Sequence, residues 1–162
     1  MNKKIVTPDQ ARAIAKEMKD RGRKLVFTNG CFDLLHVGHV HYLAAARALG
    51  DALLVAVNGD ESVRALKGDG RPLNREADRA EVIAALESVD HVVIFPEVRV
   101  TALLEKIQPA IYVKGGDYTA ESLHAEERSA LERMGTEILI VPFETGYSTS
   151  QLLKRMTKVP AE

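Results

Sequence analysis

Short, almost wholly apolar runs recur along the chain, and between them lie longer stretches whose apolar residues return every three or four positions. The runs fall at 24–28, 52–58, 91–95, 110–114 and 137–141. Their length and content predict strands. The stretches at 39–49, 61–66, 75–88, 100–107 and 120–134 carry the helical period. Two more helices bracket the series. Thr7-Pro8-Asp9-Gln10 combines an N-cap, a proline at the first helical position and a capping-box glutamine, which predicts a helix from Pro8 to about Arg21. Residues 148–156 form the last. Strands alternating with helices imply βαβ units joined by right-handed crossovers. The predicted fold class is α/β, a Rossmann-like, doubly wound, parallel five-stranded sheet. It fills a single domain over 1–162, with a frayed tail from about 158. Ligands in such sheets bind beyond the carboxyl ends of the strands. That rule predicts that 28–39, 58–60, 114–117 and 147–150 converge.

Composition narrows the class. The chain has 162 residues, 46% hydrophobic and 28% charged, which is ordinary for a globular domain able to bury a core. A formal net charge of −1 offers no basic excess for nucleic acid or an anionic membrane, and neither partner is expected. No apolar run approaches the length of a membrane span, and the N-terminus lacks the apolar core of a signal peptide. Cys31 is the single cysteine, so no intrachain disulfide forms, and a reducing cytoplasmic location is expected. Without other signs of thioester chemistry, Cys31 is read as a packing residue.

The candidate chemistry begins at Thr28-Asn29-Gly30-Cys31-Phe32-Asp33-Leu34-Leu35-His36-Val37-Gly38-His39. This segment leaves a predicted strand and enters a predicted helix. A helix N-terminus offers unpaired N–H groups and the positive end of the dipole, which suits a phosphate. Glycine permits close approach there, and histidines add hydrogen-bond donors and positive charge. The combination reads as a triphosphate site. His41, His91 and His124 sit in no motif and read as solvated or structural. Residues 66–74 form a glycine-rich basic stretch in which Lys67 could close over phosphates. Lys114-Gly115-Gly116-Asp117-Tyr118 turns sharply after a predicted strand, and Gly146-Tyr147-Ser148-Thr149-Ser150 precedes the last helix with good N-cap residues.

His36-Val-Gly-His39, preceded by Gly30-Cys-Phe-Asp33-Leu-Leu-His36, resembles the H-x-G-H signature of the nucleotidyltransferase superfamily. Within it the chain is similar to the D-glycero-β-D-manno-heptose 1-phosphate adenylyltransferases. The shared elements include Leu66-Lys-Gly68, Arg71-Pro-Leu-Asn74, Val113-Lys-Gly-Gly-Asp-Tyr118 and Gly146-Tyr-Ser-Thr149. This resemblance implies transfer of AMP from ATP to the sugar 1-phosphate, releasing ADP-heptose and pyrophosphate for lipopolysaccharide or a related surface glycan. It implies catalytic roles for His36, His39 and Lys67. It implies nucleotide contacts from Thr28, Asn29, Gly30, Phe32, Gly38, Arg79, Gly116, Asp117, Tyr147, Ser148 and Thr149, with Asp33 bracing the loop. It also implies Mg²⁺ carried on ATP without a dedicated protein site, a homodimer, and the stand-alone form of a domain that many members fuse behind a sugar kinase. Two other readings stay open. One is a cytidylyltransferase for glycerol 3-phosphate or phosphoethanolamine, against which stands Phe143 where glycerol-type members carry arginine. The other is a nonenzymatic nucleotide-binding module. A class I aminoacyl-tRNA synthetase shares the histidine chemistry, but the chain has no basic patch for tRNA.

Overall fold

The computed structural model describes residues 2–116, 119–142 and 145–158. Five strands form one parallel sheet in the order β3-β2-β1-β4-β5. They are β1 (Leu25–Gly30), β2 (Ala52–Asn58), β3 (His91–Phe95), β4 (Ile111–Gly115) and β5 (Glu137–Val141). The helices are α1 (Pro8–Asp20), α2 (Val37–Arg47), α3 (Asp60–Lys67), α4 (Glu76–Ala84), α5 (Thr101–Ile107), α6 (Ala125–Met134) and α7 (Thr149–Met156). The α/β doubly wound architecture expected from the sequence is the one found.

The sheet is covered on both faces because its central strands are apolar in both phases. Along β2, Leu54 and Ala56 join Phe27, Leu104 and the α1 residues Ala11 and Ala15 in one core. Leu53, Val55 and Val57 join Tyr42, Leu43 and Ile83 in the other. This is the period of two expected of a strand buried on both sides. The α1 start follows its sequence signal: Gln10 N–H donates to Thr7 Oγ1 at 3.2 Å, and Thr7 N–H donates to Gln10 Oε1 at 2.8 Å.

Helix boundaries depart most from expectation at α2, α4 and α6. α2 begins at Val37, so His36 is its N-cap and His39 already lies in its first turn. The helix expected over 120–134 is two pieces, a 3₁₀ turn at Ala120–Ser122 and α6. Thr119 and Ser122 satisfy each other's N–H groups, which closes the first piece locally before Leu123 goes extended. α4 stops at Ala84, short of residue 88. No helix among the described residues is long and apolar enough to cross a membrane.

From β1 the chain winds outward through β2 to β3, then crosses back to place β4 on the other side of β1. That reversal leaves a crevice past the carboxyl ends of β1 and β4.

Candidate active site

A cleft of about 440 Å³ opens at that crevice. Asn29 and Gly30 line it from the end of β1, Lys114 and Gly115 from the end of β4, and Thr149 and Ser150 from the start of α7. Asn58, the last residue of β2, lies in its wall as well. Of the four segments expected to converge, each contributes at least one wall residue.

The two motif histidines do different things. His39 lines the cleft, while His36 lies against it with the rings stacked 3.9 Å apart. His36 N–H donates to His39 Nδ1 at 3.4 Å. An imidazole nitrogen that accepts carries no proton, so neutral His39 holds its proton on Nε2. Phe32 meets the His39 ring edge-on at 5.5 Å. Burial, reinforced by the neighbouring His36, lowers the His39 pKa to about 4. Burial also pulls His36 below the usual histidine value. Positive charge was expected of these residues; burial instead disfavours the imidazolium form of both, and His39 acts as a hydrogen-bonding group.

Glycines permit this packing. A Cβ on Gly38 would stand 2.9 Å from both His36 Nδ1 and Tyr147 Cβ, so the space opened by the missing side chain is filled by protein. A Cβ on Gly30 would meet the Phe32 ring at 2.9 Å, and Phe32 itself adopts a left-handed φ of 47°.

Several expected nucleotide contacts stand behind the wall. Thr28 is fully buried. Tyr42 donates its proton to the Val113 carbonyl at 3.2 Å, so the Thr28 hydroxyl, 2.7 Å away, donates to Tyr42. Burial pushes the Tyr42 hydroxyl up to about 12, which keeps that bond neutral. Arg79 does not reach the cleft either, because its side chain is only 1% exposed. It donates to the Cys31 carbonyl at 2.6 Å, the Asn74 carbonyl at 3.0 Å and Asp60 Oδ1 at 2.8 Å. Arg79 thereby clamps three segments that frame the site. Ser148 is the N-cap of α7 and accepts from Gln151 N–H. Tyr147 covers His36 at a ring distance of 6.3 Å, and Gly116 turns at a φ of 78°. Asp117 and Phe143 lie outside the described residues.

Asp33 braces the basic loop, in line with the role the resemblance implied. It accepts from Arg71 Nε at 2.7 Å and from the N–H groups of Leu73 and Asn74 at 2.9 Å. Burial raises the Asp33 carboxyl, but these donors outweigh it and hold the group below the usual carboxylate range. Lys67, expected in a mobile loop, is instead the last residue of α3 and lines the cleft with an exposed side chain.

Of the charged wall residues, Arg71 and Lys114 lie in shared elements but were assigned no role from the sequence, while Arg99 and Glu127 belong to no motif. Burial lowers the Lys114 pKa, and the nearby Glu127 charge opposes that shift. Spacing offered one clue. Glu127 precedes the buried pair Ala130 and Leu131 by three and four residues, which puts it on the inner face of α6.

Comparison with known proteins agrees with this geometry. The cytidylyltransferase-like family pattern matches residues 27–155. The bifunctional protein HldE of Geotalea uraniireducens (strain Rf4) is 51% identical over 153 residues, covering 94% of this chain and 31% of that protein. The HldE of Geobacter metallireducens is 46% identical over 159 residues, covering 98% of this chain and 32% of its own length. The chain thus spans about a third of these relatives. Among solved structures, the lipopolysaccharide core biosynthesis protein from Thermoplasma volcanium GSS1 is 30% identical with a TM-score of 0.64, covering 78% of this chain and all of that one. With the family pattern running from within β1 into α7, the chain belongs to the cytidylyltransferase-like family and carries its nucleotidyltransferase domain.

Proposed function

We propose that the chain transfers AMP from ATP to D-glycero-β-D-manno-heptose 1-phosphate, releasing ADP-heptose and pyrophosphate for lipopolysaccharide or a related surface glycan. One observation carries the reading: His39, whose Nδ1 accepts from the His36 N–H, lines the cleft in the first turn of a helix that follows the central strand. The HldE relatives and the lipopolysaccharide core biosynthesis protein support the pathway.

The acceptor phosphate is an anion at neutral pH and needs no general base. Its oxygen attacks the α-phosphorus of ATP in line with departing pyrophosphate, and charge builds on the phosphoryl oxygens. His39 Nε2–H and the free N–H groups at the start of α2 stabilise that charge, and Lys67 steadies the leaving group. His36 holds His39 in its tautomer and orientation. Asn29 presents its amide to the cleft, its Oδ1 already accepting from Tyr112 at 2.8 Å. Thr149 caps the far wall, tied to the Leu34 carbonyl at 3.3 Å.

Mg²⁺ enters as part of the ATP substrate. No residue of the chain is assigned to it. We extend the proposal to a cytoplasmic location and a homodimer.

The family's name favours CTP as a second nucleotide, and a matrix of substrates decides. Pyrophosphate release is measured with ATP or CTP against heptose 1-phosphate, glycerol 3-phosphate and phosphoethanolamine. ATP with the heptose is expected to give the highest kcat/KM. A higher value for CTP with either other acceptor overturns the assignment.

A further inference from the structure

Glu127 occupies the first turn of α6, is only 6% exposed, and lines the cleft. Buried carboxylates are almost always hydrogen-bonded, because desolvating the charge is otherwise costly. The other acid of the cleft, Asp33, obeys that rule with three donors. Glu127 accepts no hydrogen bond and makes no ion pair among the described residues. Nor are its oxygens sealed into the core, where they would stand as orphaned atoms. They open onto the cleft.

A first-turn acid can serve the helix dipole alone. Glu126, in the same turn, does so from an exposed position. The dipole therefore gives no reason for Glu127 to point inward. A carboxylate would repel phosphates, so what it faces is the neutral part of a substrate. Lys114 lines the same cleft, and the Glu127 charge favours its charged form. A carboxylate acceptor suits hydroxyl or amino donors.

We propose that Glu127 is a substrate-binding residue that accepts hydrogen bonds from hydroxyl or amino groups of a bound substrate. The inference rests on the nucleotidyltransferase reading above. Two sources share this chemistry: the sugar hydroxyls of the acceptor, and the ribose or base of the nucleotide.

Glu127→Ala, Glu127→Gln and Glu127→Asp separate them. KM and kcat are measured for ATP and for heptose 1-phosphate, with Kd for each, and for CTP and glycerol 3-phosphate, by calorimetry. Glu127→Ala should weaken one partner by at least about tenfold and leave the other within about twofold, with partial rescue in Glu127→Asp or Glu127→Gln. Loss confined to heptose 1-phosphate assigns the acceptor; loss confined to ATP or CTP assigns the nucleotide. If every constant stays within about twofold of wild type, or all worsen together with a lower Tm, the proposal is overturned. A wild-type protein that turns over no ATP and heptose pair overturns the function proposed above, whereas the calorimetric arm still reads Glu127 against whichever ligands that protein binds.

Discussion

The backbone N–H of His36 and the Nδ1 of His39 form a 3.4 Å hydrogen bond beneath rings stacked at 3.9 Å. A single donor thus determines which His39 nitrogen is left for the cleft. The structure makes His39 a neutral donor at a fixed atom, which generates a graded test.

Glutamine can place its amide N–H near the Nε2 position, whereas asparagine replaces the Nδ1 end. His39→Gln should retain more kcat than His39→Asn, and His39→Ala should lose about 10²–10³ in kcat. Kd for ATP, measured by calorimetry, should change less than kcat, because the bond strengthens as charge develops. Near-wild-type turnover in a folded His39→Ala protein would sink the catalytic role.

Acid should destabilise the protein through the same residue. His39 titrates near 6.5 when unfolded and at about 4 when folded. Between those values the unfolded chain binds a proton that the folded chain refuses. Stability is therefore fully present above 6.5 and falls as pH drops toward 4. His36 and His91, both lowered by burial, act in the same direction. Urea unfolding from pH 7.5 to 4.5 should show a shallower decline in His39→Gln than in wild type. Triphosphate charge favours imidazolium, so ATP binding near pH 5.5 should take up protons. Calorimetry in buffers of different ionisation enthalpy measures that uptake, and it should shrink in His39→Gln.

Arg79→Met should remove a clamp and leave the binding cleft itself chemically intact. Two carbonyls and the Asp60 carboxylate lose their donor, a cost on the order of 3 kcal/mol in unfolding free energy. Urea denaturation reads it directly. A variant as stable as wild type would show that the three segments hold without the guanidinium.

Lys67 is the opposite case. It makes no hydrogen bond or ion pair among the described residues and is exposed at the end of α3. Lys67→Ala should leave stability within about 0.5 kcal/mol and lower kcat/KM by at least about tenfold. Unchanged kinetics would return this lysine to an ordinary surface role.

Strands were the most legible part of the sequence. β2, β3 and β5 coincide with the apolar runs at 52–58, 91–95 and 137–141, because parallel strands covered on both faces leave little room for polar residues. Helix ends were less so: α2 absorbs a glycine and a histidine in its first turn, and a local Thr119–Ser122 box splits off the start of α6. The H-x-G-H segment located the cleft, yet side-chain roles within it depended on partners far away in sequence. The resemblance put Arg79 at the nucleotide, but the Cys31 and Asn74 carbonyls and Asp60 take its donors. Thr28 looked like a wall residue until Tyr42 took its hydroxyl. Glu127 belongs to no motif, and only its placement on the inner face of α6 could have raised it.

Gly38 and Tyr147 meet from distant parts of the chain, and α7 just beyond Tyr147 has no buried residue. The last segment therefore adds almost nothing to the core while it covers His36 and closes one wall of the cleft. During synthesis, which proceeds from the N-terminus, every strand can pair before this segment emerges. That order of emergence would separate folding from competence: the sheet can be complete before Tyr147 reaches the histidine pair.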